Sequence, residues 1–567
     1  KQGAYLLTDE SGATGITVVA GSERVWVDGR RMTRGRDNDY VIDYASGAIE
    51  FTEKRPVDSD TEITVDYEYS PDDFRRDTYA GRAMFGDAER SVGVSFFRES
   101  DDADASTAAD LTDEQLAVLA AAGDDPELAH DDGVDSVGVG NGDYVSLGGG
   151  VFEYAGPDSG DYDLSFERQE GGDYTYDFLD GFFTYVGEGE GEYVLGRQLP
   201  MPSSHDLVAA DVTLRLPRRG LIEGSAALSS FDRNTLSDLD EDDNLGNAQV
   251  LSASLPDVTG EAMGNVGLDL SLEARRVAGG FRGVGRFREV GYVERWELSG
   301  LELPQAEQMV RGTAALSLSS GGSVELSHAL LERGDVLSSG NTEARFSGSP
   351  TEGGRVWADA RLVDLSLEGE DDHGRGRERR LYRGGAEQDV GLVRPGLRYA
   401  HDERREGPDG ERYDEYSASV ANSRPGDVTF GVEYSHRVSD RLSEGAWLDA
   451  STTMTQRYRL GLSGWEALRV EANVLRRETE FEDEFTEPGS RYDLAGLRLN
   501  HTSLDGGLRG EVRYTVTSTE VEEKERFVTE EDDAEIVRIV STGRYVPVTE
   551  LTASTGWKLT PRARRNL

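Results

Sequence analysis

The chain has 567 residues, too many for one ordinary globular core but suitable for several units or one large barrel. Its 110 aspartates and glutamates outweigh 60 lysines and arginines, for a formal net charge of −50. That field excludes nucleic acid as a partner and simple adsorption to anionic lipid, and the absence of cysteine excludes disulfides, thiolate metal sites and cysteine nucleophiles. The only lysines are Lys1, Lys54, Lys524 and Lys558. A strongly acidic, lysine-poor chain has the composition of a protein adapted to high salt, where screening suppresses repulsion between carboxylates. No run approaches the roughly 18 apolar residues of a membrane-crossing helix. A barrel strand would escape that test, because its signal is alternation. The start at "KQGAYLL" leads to the expectation of a processed or truncated product.

Residues 1–72 read as a small β-sandwich. In "ERVWVDGRRM", Val25 and Val27 alternate with Trp26 and Asp28, and Asp28-Gly29 is a hairpin dipeptide. "DYVIDYASGAIEF" repeats the plan around Ser46-Gly47. In "EITVDYEYS", Ile63, Val65, Tyr67 and Tyr69 share one face, with Thr64, Asp66 and Glu68 on the other.

Residues 73–204 are expected to form a glycine- and tyrosine-rich region of β-hairpin repeats with one short helical insertion. "ESDDADASTAAD" reads as an acidic linker. "LTDEQLAVLAAAG" reads as a helix with Thr112 at the N-cap, Gln115 completing a capping box and Gly123 ending it. Beyond it, a glycine–acid–tyrosine motif recurs with uneven spacing at Tyr144, Tyr162, Tyr174 and Tyr193. The last copy belongs to "YVGEGEGEYV". Its glycines suit tight turns, and Glu188, Glu190 and Glu192 rule out a phosphate loop.

Residues 205–567 alternate with a period of two. Val266, Leu268, Leu270 and Leu272 share a face, as do Val428, Phe430, Val432 and Tyr434. So do Leu508, Val512, Tyr514 and Val516, opposed by Arg509, Glu511, Arg513 and Thr515. These segments have the length of a membrane-crossing barrel strand. "SRPGD", "GWEA" and "SLDGG" read as short turns. Residues 368–388, 401–415, 476–490 and 518–533 read as long charged loops, a mixture typical of outer-membrane barrels. Arg457, Arg459, Arg469, Glu471, Arg509, Glu511 and Arg513 would then line a polar lumen, while Tyr434, Tyr458, Trp465 and Tyr514 would sit at the membrane interfaces. On a soluble sandwich the same charges would face solvent and the same aromatics a core.

"SDLDEDDNLGN" sets Asp238, Asp240, Asp242, Asp243 and Asn244 close together before Gly246, the oxygen-rich spacing of a calcium loop. It lacks the glycine and the terminal glutamate of an EF-hand, and a solvated acidic loop explains it as well. The seven histidines form no HExxH pair, no GxSxG elbow occurs, and no spacing singles out a glycosidase carboxylate pair. No enzyme activity is therefore expected, and calcium is the one candidate cofactor.

The stretch from Gly21 to Tyr69 resembles a β module of very large bacterial outer-membrane and surface proteins, including the giant barrel translocons of the gliding and type IX secretion kind. Gly21, Val25, Gly29, Gly35, Asp39, Tyr40, Asp43, Tyr44, Gly47, Ile49, Phe51 and Tyr67 carry the resemblance. It covers about a tenth of the chain and implies an envelope location. The ending "TPRARRNL" departs from the terminal aromatic of a barrel-assembly signal.

Together these readings give an all-β protein, a large antiparallel β-barrel of the outer-membrane type preceded by a small β-sandwich module. The expected role is non-enzymatic, structural or transport-related, at the outer membrane or surface of a salt-adapted bacterium. Outer-membrane lipid and other envelope proteins are the expected partners, and nucleic acid is not. The alternatives are a soluble extracellular β-rich adhesin or surface-layer component, including a glycan-binding one, and a carbohydrate-active surface protein.

Overall fold

A computed structural model describes residues 4–8, 14, 16–36, 38–52, 54, 57, 61–70, 74–106, 111–126, 128–177, 181–239, 241, 243–258, 266–301, 303–318, 321–367, 376–424, 426–443, 445–465, 468–482, 489–502, 508–531, 534–547 and 552–561. Its main feature is a closed antiparallel barrel. The ring starts with Phe74–Gly86 and Arg90–Ser106, continues at Ser204–Arg215, and then follows chain order by hairpins to Thr552–Pro561. Near the seam, Leu508–Glu531 pairs with Thr552–Pro561 through its first half and with Ala534–Pro547 through its second.

The alternation sorts side chains to the two faces of the wall. Val432 lies between Val420 and Tyr458 on the neighbouring strands, and all three are exposed on the outer face. Glu433, one residue on, turns inward and meets Arg398 at 3.3 Å and Arg457 at 3.5 Å. The same outer belt carries Leu228, Leu251, Leu272, Leu326 and Leu397.

The barrel takes in more of the chain than the alternation had indicated. Phe74–Gly86 and Arg90–Ser106 are barrel strands, so the expected boundary at residue 205 moves to residue 74, and most of "ESDDADASTAAD" is strand and not linker. Its acids are held by cross-strand arginines: Arg76 lies 2.7 Å from both Glu99 and Asp101. The outward face here includes Gly81, whose missing Cβ leaves room for the Phe96 ring, and that small residue weakens the apolar signal. Three expected charged loops also prove to be largely strand. Residues 401–415 form a tight hairpin turning at Gly407, and Arg377–Gln388 and Leu508–Glu531 are ladder strands. Opposite charges facing one another across strands stabilise such segments without an apolar face, as Arg412 and Asp440 do at 2.6 Å.

Residues 4–70 form the small sandwich. One sheet joins Tyr5–Leu6, Ala48–Phe51 and Tyr40–Asp43; the other joins Arg30–Arg31, Arg24–Val27 and Ile63–Asp66. Val18, Val25, Val27, Ile49 and Phe51 form its dry interior. Asp28 and Gly29 both have positive φ, as the hairpin dipeptide requires.

Between the second and third barrel strands lies an inserted unit. Its helix, Asp113–Ala122, has the expected capping box at Thr112 and Gln115 and a left-handed φ of 62° at Gly123. Asn234, fully buried in a barrel connection, donates to the carbonyls of Leu119 and Gly123 and so satisfies the helix end. The rest is a duplication. Val134–Ser136, Tyr144–Gly148, Val151–Tyr154 and Tyr162–Leu164 form one four-stranded sheet with the first strand next to the fourth. Phe166–Gly172, Tyr174–Asp177, Phe182–Tyr185 and Gly191–Leu195 repeat that order. The two sheets exchange equivalent bonds: Phe152 N–H donates to the Tyr174 hydroxyl and Phe183 N–H to the Tyr144 hydroxyl, each at 3.1 Å.

"YVGEGEGEYV" is thus a crossover and not a simple hairpin connection. The strands at its ends flank Tyr174–Asp177, because Tyr174 pairs with both Tyr185 and Tyr193. Gly187 and Gly189 have positive φ, and Glu188 and Glu190 are exposed. Gly191 serves differently: a Cβ there would collide with the Tyr174 backbone. Gly191→Val should therefore destabilise the inserted unit by about 1–3 kcal/mol, whereas Glu190→Gln should stay within about 0.5 kcal/mol. Urea-dependent proteolysis of residues 134–195 would check the ranking.

Candidate functional site: a chamber between the module and the barrel wall

The connection spanning residues 278–306 folds against the inner wall. Met309, Ala329, Leu331, Leu337 and Leu365 point inward there, and an apolar patch facing an aqueous lumen favours a cover. Tyr292, Trp296 and Leu298 supply it, with Trp296 fully buried. Buried Glu307 is held by Arg275 and Arg288, each at 2.8 Å, and accepts from the Tyr292 hydroxyl at 3.0 Å. Burial first, and then the Glu307 charge, raise the Tyr292 pKa and keep the phenol a donor.

The sandwich module docks on this connection and on the far wall. Arg286 chelates the Asp66 carboxylate and lies over the Trp26 ring, 5.3 Å from its centroid. On the opposite side of the ring, Lys54 lies 3.5 Å from Glu471, and Arg498 donates to the Arg36 carbonyl at 3.0 Å. The module therefore bridges the lumen. Glu62 faces Gly291 and Glu294 of the infolded connection, and its Oε1 is buried without a hydrogen-bond partner.

Between the module and the wall lies a cavity of about 1330 Å³. Twelve cationic and seven acidic side chains line it, a reversal of the balance in the whole chain. The cations come from strands Gly354–Leu367 to Ala446–Trp465, with Lys54 from the module and Arg295 from the connection. Several share carboxylates. Arg379 grips Asp402 through two bonds of 3.0 and 2.8 Å, and Arg404 reaches the same carboxylate at 3.6 Å. Glu433 serves both Arg398 and Arg457.

Of the arginines expected in the lumen, Arg457 and Arg459 line this chamber, and Glu471 holds the module and Arg498. Arg469 stands on the same wall outside it, and the side chains of Arg509, Glu511 and Arg513 lie outside the described residues. Tyr434, Tyr458, Trp465 and Tyr514 are exposed on the barrel. In the candidate calcium loop, Asp240 and Asp242 lie outside the described residues. Asp238 is exposed, Asp243 lies near Asp124, and buried Asn244 donates to Glu241 at 2.9 Å. Among the described residues no group of three or more histidines or carboxylates is arranged to hold a metal. The infolded connection and the docking of the module had no signature in the alternation. The nearest signal was the aromatic content of "GRFREVGYVERW" inside an otherwise polar connection.

Fold and chamber together define an all-β protein in which a closed antiparallel barrel encloses a small sandwich module. Residues 1–71, the module, match a family model described as a domain of unknown function, DUF8818. No curated protein matches the chain. Among solved structures, outer-membrane expressed OmpT of Vibrio cholerae is similar over 48% of this chain and 79% of that one, with 9% identity and a TM-score of 0.24.

The docking of the module should depend on pH through Glu62. Burial first, and then Glu294 and Asp28, raise its pKa above the ordinary 4.5. The docked state thus binds the proton more tightly than the undocked one. Docking is strongest below the ordinary glutamate value and weakens as pH rises through the raised one. Glu62→Gln should remove that dependence and raise the melting temperature of the module at neutral pH. Melting curves between about pH 4 and about pH 8 would check this.

Proposed function

We propose that the chain is a non-enzymatic outer-membrane β-barrel of a salt-adapted bacterium, with a transport role gated by its N-terminal module. The observation that carries this reading is the sorting of side chains across the wall, with Val420, Val432 and Tyr458 exposed outside and Glu433 among arginines inside. A soluble adhesin or surface-layer sandwich would bury such an apolar belt against a second sheet, because a patch this extensive is an aggregation liability in water. No helix among the described residues is long and apolar enough to cross a membrane, so the strands would make the crossing. Outer-membrane lipid would be the partner of the belt.

The module bears on the transport role. It reaches both sides of the lumen through the Arg286–Asp66 and Lys54–Glu471 pairs, so its release would open the barrel. Extraction supplies the test: the full chain should remain monodisperse only in detergent, and monodispersity without it would favour the soluble alternative. Val432→Arg should cost about 2–4 kcal/mol when the barrel is refolded into lipid, whereas Ser435→Asn on the inner face should be nearly neutral. Equal sensitivity at the two positions would argue against a lipid-facing side.

A further inference from the structure

We propose that the bilayer grips only the half of the barrel next to its short turns. The other half stands in water as a collar, and it carries the module, the inserted unit and the connection 278–306. The inference states where lipid meets the wall, and it rests on the membrane reading above.

The two ends of the barrel are unlike. The turns 87–89, 216–220, 349–353 and 389–392 fall at one end. The inserted unit, the connections 233–244 and 278–306, and the junction of the module with Phe74 fall at the other. Apolar residues of the outer face run right up to the short-turn end. Leu255, Leu318 and Trp465 are the last residues of their strands, Val428 is the first of its own, and all four are exposed. Even the turn 389–392 exposes Val390 and Leu392.

Toward the other end the outer face changes character. Past exposed Phe96 and Val208 comes Arg98, opposite Asp206 and 3.7 Å from it. Past Leu251 and Leu272, Gln249 stands opposite Arg276. Past Leu330, Glu332 stands opposite Gln308. Past Val474 and Leu497 come Arg476 with Asp493 at 3.1 Å and then Glu478 with Arg491 at 2.6 Å. Exposed Tyr399 and Tyr416 mark the border on their own strands, just before His401 and Asp414, which meet at 3.0 Å. A ring with a polar tip suits headgroup level.

The change comes at the same depth around the ring. Arg98, Arg476 and His401 each stand eight residues into their strands, counted from Arg90, Leu468 and Val393. A barrel strand needs roughly 9–11 residues to cross a bilayer, so one crossing is used up there. Yet Ala446–Trp465 has 20 residues and Leu508–Glu531 has 24. The surplus is where charge occupies the outer face as well as the inner one, as with Arg380 opposite Glu403 and Glu378 opposite Arg405. A bilayer centred on the whole wall would hold these pairs in hydrocarbon, where ionised side chains are costly. A wall wetted over its full height would gain nothing from an apolar belt that stops at one depth. The module joins the barrel at the collar end, so its release would be into the compartment that the collar faces, and the gate would answer to that compartment.

The chain has no cysteine, so single cysteines test the proposal directly. Leu326→Cys and Val432→Cys lie in the belt, Ser100→Cys and Thr452→Cys on the outer face of the collar, and Ser435→Cys inside. Each full-length variant would carry a fluorophore and be folded into phosphatidylcholine vesicles containing doxyl-labelled lipid. Circular dichroism would confirm that the barrel is intact. The lipid should quench the two belt labels severalfold and leave the collar and lumen labels bright and open to a water-soluble quencher. In vesicles with one orientation of insertion, an impermeant maleimide should reach Thr452→Cys and Glu188→Cys of the inserted unit from the same side, and Glu89→Cys of a short turn from the other.

Equal quenching of belt and collar labels would overturn the proposal and leave the membrane reading standing, because the bilayer would then cover the whole wall. Labelling of Thr452→Cys and Glu188→Cys from opposite sides would overturn it as well. If a folded chain shows no quenching at any position, the membrane reading falls and this inference with it.

Discussion

Closure of the sheet is the constraint on which the other features depend. A strand places successive side chains on opposite faces, and a closed ring turns those faces into an outside and an inside. A one-residue slip at any hairpin would exchange the two sets, so register is under strong selection by the medium on each side. The pairing of Val432 with Val420 and Tyr458, and of Glu433's face with arginines, is one local reading of that rule. Closure also removes exposed sheet edges, which lets strands as charged as Arg377–Gln388 take part without an apolar face of their own.

An inward-facing charged surface raises a second requirement. Guanidiniums and carboxylates confined between low-dielectric walls interact more strongly than on an open surface, so each charge must find a partner or water. The barrel meets this in two ways. Where the inner wall is apolar, the connection 278–306 lays Trp296 and Leu298 on it and brings Arg288 to buried Glu307. Where the wall is charged, carboxylates are shared, and the N-terminal module supplies Asp66 and Lys54 to complete pairs across the lumen. The module's polar outer face, which in isolation looks like a solvated surface, is thus its docking face.

How much of this could be read from the sequence depended on side-chain contrast. The strands around Val428–Ser443 and Leu468–Phe481 were legible because large apolar residues alternate with arginine and glutamate. Phe74–Gly86 was not, because Gly81 and Ala83 carry little hydrophobic signal on the outward face. The segment 401–415 looked like a loop because charge on every face is the usual mark of solvent; ladder pairing between opposite charges overrode that mark. The duplication in the inserted unit was half legible. Spacing measured from motif to motif is uneven, but thirty residues separate Tyr144 from Tyr174 and thirty-one separate Tyr162 from Tyr193. Each repeat contains two motifs, and the glycines in them are there for close backbone approach, as at Gly191 and Gly160, more than for turns. The chamber was only partly foreseeable: alternation placed Arg457 and Arg459 inside, but nothing local to them indicated the module opposite.

The choice of arginine over lysine follows from the same physics. On the salt-adapted reading, the working medium has a Debye length of only a few ångströms, so the diffuse field of a basic surface is lost within about one water layer. Attraction then has to act through contact. A lysine ammonium is a strongly hydrated point charge, whereas a guanidinium offers paired donors in a plane and sheds water more easily. The pairs that bind Arg379 to Asp402 and Arg286 to Asp66 are of this bidentate kind. Only four lysines occur in the whole chain, and the one in the chamber, Lys54, belongs to the module, the part whose contacts must break if the lumen is to open. A monodentate, well-hydrated cation at that position makes a weaker tether than an arginine would. The distribution of the two residue types therefore follows a division between a wall held by bidentate contacts and a docked module held in part by a more easily broken one.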